Sequence, residues 1–162
     1  MIRPLAIAAL CLVLMGCGFR PLYGSAQVSP QMASIYVEPI PESNGYELRN
    51  HLIDLLRSDG DPAGKAYHLK ITLNSTTQSV TLQNDATISR YNDTLKASYV
   101  LTDDKDTPIA QGDMSGLSSY NVANSPYSTL VARQDSDLRA ADDLAERIQL
   151  DLGVFFHRRD GR

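Results

Sequence analysis

Apolar side chains recur along the chain with two different periods, and those periods divide it into elements. Ile35-Tyr36-Val37-Glu38 is a short β-rich run closed by Pro39 and Pro41, which predicts a first strand. Over residues 46–58, Leu48, Leu52, Leu55 and Leu56 fall at i, i+4, i+7 and i+8. That spacing is one face of an α-helix, with Ser43 or Asn44 placed to cap its start and Gly60 beyond its end. From Tyr67 the period drops to two: Tyr67, Leu69, Ile71 and Leu73 alternate with His68, Lys70, Thr72 and Asn74, a half-buried strand. Residues 88–101 repeat the alternation through Leu95, Ala97, Tyr99 and Leu101. After the solvated turn Asp103-Asp104-Lys105-Asp106, residues 109–120 predict a third long strand, loosened by Gly112 and Gly116. Leu138, Ala141, Ala145, Ile148, Leu152 and Phe155 then step by three and four with charges between them, the pattern of a long amphipathic helix.

The order β-α-β-β-β-α predicts an α+β fold: a sheet of about four strands, mostly antiparallel, with two helices packed on one face. The stripe of the last helix is read as its core face. The acidic group Asp135, Asp137, Asp142 and Asp143 is expected at that helix's start, where carboxylates meet the positive end of the dipole. The uncovered sheet face is unusual. Between Thr72 and Thr102, sixteen residues are Ser, Thr, Asn or Gln and only four are charged. Such a surface suits a wet, close-fitting contact with another protein, where a buried charge would be costly, or is simply a threonine-rich exposed sheet.

Composition narrows the function. With 162 residues there is room for one domain. A formal charge of -4 speaks against a general nucleic-acid binder, since a run of phosphates would go unneutralised. Three scattered histidines and two cysteines, both N-terminal, exclude most zinc frameworks and any disulfide scaffold. No catalytic constellation is present in the pattern. Gly116-Leu117-Ser118-Ser119-Tyr120 lacks the second glycine of a nucleophile elbow and lies in a strand, and no phosphate-cradling glycine loop occurs. The reading is of a protein that is not an enzyme and needs no cofactor or metal.

The leader is more specific. Arg3 precedes an apolar run over residues 5–15, which as a helix would span ~16 Å, too short to cross a bilayer and right for a signal peptide. Leu14-Met15-Gly16-Cys17 resembles the lipobox of bacterial lipoproteins, with an apolar residue at −3, a small one at −1 and cysteine at +1. The resemblance implies cleavage before Cys17, acylation of its sulfur and a membrane anchor. Two or more acyl chains hold a protein to a leaflet lastingly, whereas one holds it reversibly. Gly18 in place of aspartate implies the outer membrane by the same resemblance. The expected organisation is a signal peptide over 1–16, a lipidated tether over 17–31, a single domain over 32–157 and a tail over 158–162.

Cys17-Gly18-Phe19-Arg20-Pro21-Leu22-Tyr23-Gly24 looks like the opening of the lipopolysaccharide-assembly lipoprotein family, LptE. Ala140-Ala141-Asp142-Asp143-Leu144-Ala145-Glu146-Arg147-Ile148 is similar to that family's last helix, and the order of elements agrees. The resemblance implies a plug within an outer-membrane β-barrel, LptD, on the periplasmic side, assisting delivery of lipopolysaccharide to the cell surface. It also implies two basic contacts with lipopolysaccharide. Arg90, in Ile88-Ser89-Arg90-Tyr91-Asn92, matches a position just before the turn between the middle strands. Arg133, after Ser125-Pro126, matches a position preceding the last helix. Arginine's planar fork suits the phosphates of such a lipid. The alternative is an auxiliary periplasmic lipoprotein of an ABC-type lipid transporter, which would share anchor, size and layout but meet an inner-membrane ATPase.

Overall fold

A computed structural model describes residues 30–81, 88–123 and 125–160. The leader, Cys17 and most of the tether lie outside these residues. The elements run α1 (Pro30–Ala33), β1 (Ile35–Val37), α2 (Ser43–Leu56), β2 (Tyr67–Thr81), β3 (Ile88–Asp103), β4 (Pro108–Asn121) and α3 (Pro126–Asp160). The four strands form one sheet in the order β1-β2-β3-β4. β1 pairs parallel with β2 across the α2 crossover, while β2, β3 and β4 form an antiparallel meander. The sheet is therefore mixed, with three of its strands antiparallel as the alternation predicts.

Strand alternation places one set of side chains beneath the helices. Leu69 pairs with Leu101, Ile71 with Tyr99, and Leu73 with Ala97, and this face meets Ile35 and Val37 at the β1 edge. Leu48, Leu52 and Leu56 of α2 and Leu144, Ile148 and Leu152 of α3 close the core from above, each fully buried. Each such side chain contributes about 1.5–3 kcal/mol by leaving water. The two helices are tied side by side: His51 Nδ1 lies 2.7 Å from Asp142 Oδ1, and Gln149 Nε2 donates to the Leu55 carbonyl at 3.1 Å.

Several boundaries differ from the sequence reading. α2 begins at Ser43, so Glu42 holds the N-cap position, with φ 69° and no side-chain cap bond, in place of Ser43 or Asn44. The helix ends at Leu56, short of residue 58, with Gly60 beyond its end as expected: Arg57 takes the left-handed conformation, and the Arg57 and Ser58 amides donate to the Asp54 and Ile53 carbonyls. Ser58 Oγ then donates to the Ile35 carbonyl at 2.8 Å, fastening the helix end to β1. α3 starts at Pro126, whose fixed φ and missing N–H suit a first helical position, and runs 35 residues, ~52 Å. The acidic group is thus inside the helix and not at its start. Three of its four members pair laterally, Asp135 with Arg139, Asp143 with Arg147, and Asp142 with His51. Within the expected stripe, Ala141, Ala145, Ile148 and Leu152 are buried and Phe155 is partly buried, but Leu138 is 40% exposed, and Ala140, Leu144 and Phe156, outside the stripe, join the core.

Two glycines set the approach of α3 to the sheet. A Cβ on Gly112 would fall 2.7 Å from the Tyr99 ring, and one on Gly116 would fall 2.6 Å from the Ala140 carbonyl oxygen. The Tyr99 hydroxyl donates to Asp151 of α3, and burial first, then that hydrogen bond and the Asp151 charge, push its pKa far above the ordinary phenol value.

Candidate functional site

β4 runs toward the β2–β3 turn and α3 returns from it, so the end of the sheet beyond the β1 edge carries Arg90, Arg133 and a polar cluster. The covered face changes character along β3. Leu101, Tyr99, Ala97 and Leu95 are apolar, but the next rung joins Thr77, Asp93 and Ser118, and the one after it Ser79, Tyr91 and Tyr120. Asp93 is 2% exposed; its Oδ1 accepts from Thr77 Oγ1 at 2.6 Å, and Oδ2 has no partner among the described residues. Ser118 Oγ donates to the Ser136 carbonyl at 2.7 Å, which lays the Arg133–Asp137 turn of α3 over this rung. Tyr91 and Tyr120 stack with ring centroids 5.4 Å apart.

Arg133 is exposed and stands two turns inside α3, not ahead of it. Its field reaches both Asp137 and Tyr120. Asp137, half-buried, has a pKa raised first by burial and then by the Asp93 charge, with Arg133 opposing. Tyr120 is raised in the same way, first by burial and then by Asp93. Arg90 lies just past the β2–β3 turn, in β3, not before it. Its side chain is exposed on the face away from the helices, and its Nη2 donates to Ser119 Oγ across the β3–β4 pair. The two arginines share one end of the molecule but stand on opposite sides of the sheet.

The outward face carries the polar residues anticipated from composition. Thr72, Asn74, Thr76 and Gln78 of β2 and Ser98 of β3 are exposed there, with Lys70, Lys96, Arg90 and Asp113 as the charges on the paired strands. Its extent goes beyond the sequence reading. α3 packs mainly on β4 and α2 covers the other end, so residues 74–79 of β2 are exposed on both faces. Beyond the short β1, the outer edge of β2 has no strand partner among the described residues. Among the described residues no helix is long and apolar enough to cross a membrane, and no group of three or more potential metal ligands occurs. Asp93 and the tyrosine pair were missed in the sequence, and Asp137 was read only as one of the acidic group at a helix start. Asp93 interrupts an otherwise regular apolar alternation, and that was the available signal.

The sequence pattern of the LptE family, described as lipopolysaccharide-assembly, matches residues 32–152. The chain belongs to this family. A protein of Caulobacter crescentus CB15 described as a lipoprotein has a crystal structure similar to it, with a TM-score of 0.69 and 30% identity, over 83% of this chain and 98% of that one. An uncharacterized protein of Rickettsia prowazekii (strain Madrid E) is 28% identical over 157 residues, 96% of this chain and 98% of its own length. Rare lipoprotein B of Shewanella oneidensis shares the fold at 9% identity, with a TM-score of 0.59 over 78% of this chain and 96% of that one. This LptE-family chain thus carries the architecture of lipopolysaccharide-assembly lipoproteins over its described domain.

Proposed function

We propose that the protein is a non-enzymatic outer-membrane lipoprotein, anchored through Cys17, that plugs and helps assemble the LptD β-barrel and assists delivery of lipopolysaccharide to the cell surface. Family membership supports the lipopolysaccharide connection. The observation that carries the plug reading is the wall formed by β2 and β3: about 50 Å long, charge-poor, and exposed on both faces over residues 74–79. A bilayer with its headgroups is about 40–45 Å thick, so a wedge of this length fills a barrel lumen from end to end. Uncharged short polar side chains fit a wet barrel wall without leaving desolvated charges behind. The domain expected over residues 32–157 is a single unit that takes in α1 from Pro30 and the end of α3 to Asp160, with the residues before it as its tether.

Arg90 and Arg133 are the proposed lipopolysaccharide contacts, each offering a planar fork to a lipid phosphate. A photo-crosslinking residue at Thr76 or Gln78, in intact cells, is expected to capture an outer-membrane barrel. Crosslinks to an inner-membrane ATPase complex, or none, would refute the plug. Arg90→Ala and Arg133→Ala are expected to leave barrel association intact while weakening lipopolysaccharide binding, and binding as tight as the parent's in both would remove the assignment.

A further inference from the structure

The sheet edge beside β1 is open over most of its length. β1 pairs only with Tyr67, His68 and Leu69 of β2, and it is followed by Pro39 and Pro41, which have no N–H to continue a ladder. β2 runs on to Thr81. The bonds at the paired end fix which way its main chain points. The Tyr67 amide donates to the Ser34 carbonyl, and the Leu69 carbonyl accepts from the Glu38 amide. Odd-numbered residues of β2 therefore turn their N–H and C=O groups away from β3. By strand alternation Ile71, Leu73, Ser75, Thr77 and Ser79 offer theirs to the open edge, and the even-numbered residues between them bond within the β2–β3 ladder. The register of that ladder first shifts at Val80/Thr81, past the last of them.

Edge strands are ordinarily blunted by charges, proline, bulges or a covering element. From Ile71 to Ser79 β2 carries neither a charge nor a proline, and residues 74–79 are exposed on both faces. No strand covers this stretch among the described residues. The opposite edge, β4, is flanked by α3 and carries Asp113. Where the chain leaves β1, Glu38, Pro39 and Pro41 face Ile71 and Leu73 across a hollow of ≈ 330 Å³. A strand laid along β2 would enter this hollow and continue the row that β1 begins.

We propose that the β2 edge from Ile71 to Ser79 takes up an extended segment of the barrel chain by strand addition. This rests on the plug reading. The occupant lies free in the lumen, because the strands of a closed wall have used their own edges on one another. Main-chain hydrogen bonds carry the recognition. The occupant's side chains alternate between two faces beside residues 74–79, which are all Ser, Thr, Asn or Gln. They are accordingly uncharged, since a charge buried there would have no partner.

The test compares the full mature protein alone with the same protein co-purified with its barrel from outer membranes. In residue-resolved amide exchange, Ser75, Thr77 and Ser79 are expected to exchange quickly in the lone protein and at least about ten-fold more slowly in the complex. Asn74, Thr76 and Gln78, already bonded to β3, should change little. Ser75→Pro and Ser79→Pro each remove one outward N–H and spare the β3 ladder. Each is expected to weaken barrel association about three- to ten-fold, the worth of one hydrogen bond. Ser75→Ala, which keeps the amide, should lose much less. Thermal melts show whether the proline variants fold, and the parent's exchange pattern decides the matter where they do not. Odd-numbered amides that still exchange quickly in the complex, or equal losses from alanine and proline, would overturn strand addition and leave the plug standing. Slow odd-numbered amides in the lone protein would place another part of this chain, or a second copy, on the edge and overturn it too. Recovery of the parent with no barrel would remove the plug reading and this inference together.

Discussion

Replacing Gly116 by alanine tests how closely α3 is seated on the sheet. The added Cβ would lie 2.6 Å from the Ala140 carbonyl oxygen and 3.4 Å from Leu144 Cβ. Since such contacts do not occur below 3.0 Å, backbone must shift by at least 0.4 Å, and neither atom is the flexible end of a side chain. Overpacking of this kind costs about 1–3 kcal/mol. The lower entropy of an unfolded chain with alanine offsets about 0.4–1 kcal/mol of it. The net loss is about 1–2 kcal/mol, a drop in Tm of roughly 2–8 °C for a domain of this size. Gly153, also packed against α1, provides the opposite case. A Cβ there meets only Met32 Sδ at 3.9 Å, so Gly153→Ala removes a helix-interior glycine without a clash and should stabilise by about 0.5–1 kcal/mol. Thermal unfolding followed by circular dichroism reads both. A Gly116→Ala protein that melts at or above the parent would refute the close seating of α3 on β4.

Two further outcomes follow from local geometry. Arg57 ends α2 with φ 54° and ψ 33°, a conformation costly for a residue with a Cβ. Arg57→Gly is therefore expected to raise stability by about 0.5–1 kcal/mol in a urea titration, and a loss would show that the arginine side chain matters more than its backbone. Asp137 has a raised folded-state pKa, so its contribution to stability is fully present below the unfolded carboxylate value of about 4 and is lost as pH rises through the folded value. Asp137→Asn should match the parent's Tm near pH 3 relative to neutral reference and exceed it increasingly above pH ~4; a gap that widens as pH falls would contradict this sign.

The arrangement at the far end of the sheet gives the proposed lipid contacts distinct characters. Arg90 stands on the outward face beside a neutral serine, within the charge-poor wall. Arg133 stands on the helix side, over a buried carboxylate and two stacked tyrosines. A phosphate-bearing lipid passing this end would meet the two arginines on opposite sides of the sheet.

How much of this was legible in the chain depends on the range of the interaction involved. Leu48, Leu52 and Leu56, the alternation through Leu69 and Ile71, and the meander of β2, β3 and β4 follow from periodicity, because helix and strand geometry act between residues a few positions apart. The first turns of α3 were illegible for the same reason. Tyr127, Leu130 and Val131 point to solvent there, and the side chain buried over the sheet is Ser136, so no apolar stripe announces a helix. Leu138 was expected in the core and is exposed, because three-four spacing does not distinguish neighbouring faces, and Gly116 brings Ala140 and Leu144 against the sheet beside the expected Ala141, Ala145 and Ile148.

By itself, then, the sequence determined the kinds and order of the main elements, most of their apolar faces and the shortage of charge along the middle strands, but not the short α1. Only the tertiary structure decided which neighbour covers which stretch: that α3 lies over β4 and leaves residues 74–79 bare on both sides, that Arg90 and Arg133 stand on opposite sides of the sheet, and that Asp93 sits under Asp137. Periodicity is written by neighbours in the chain, whereas coverage is set by how two surfaces remote in sequence fit together.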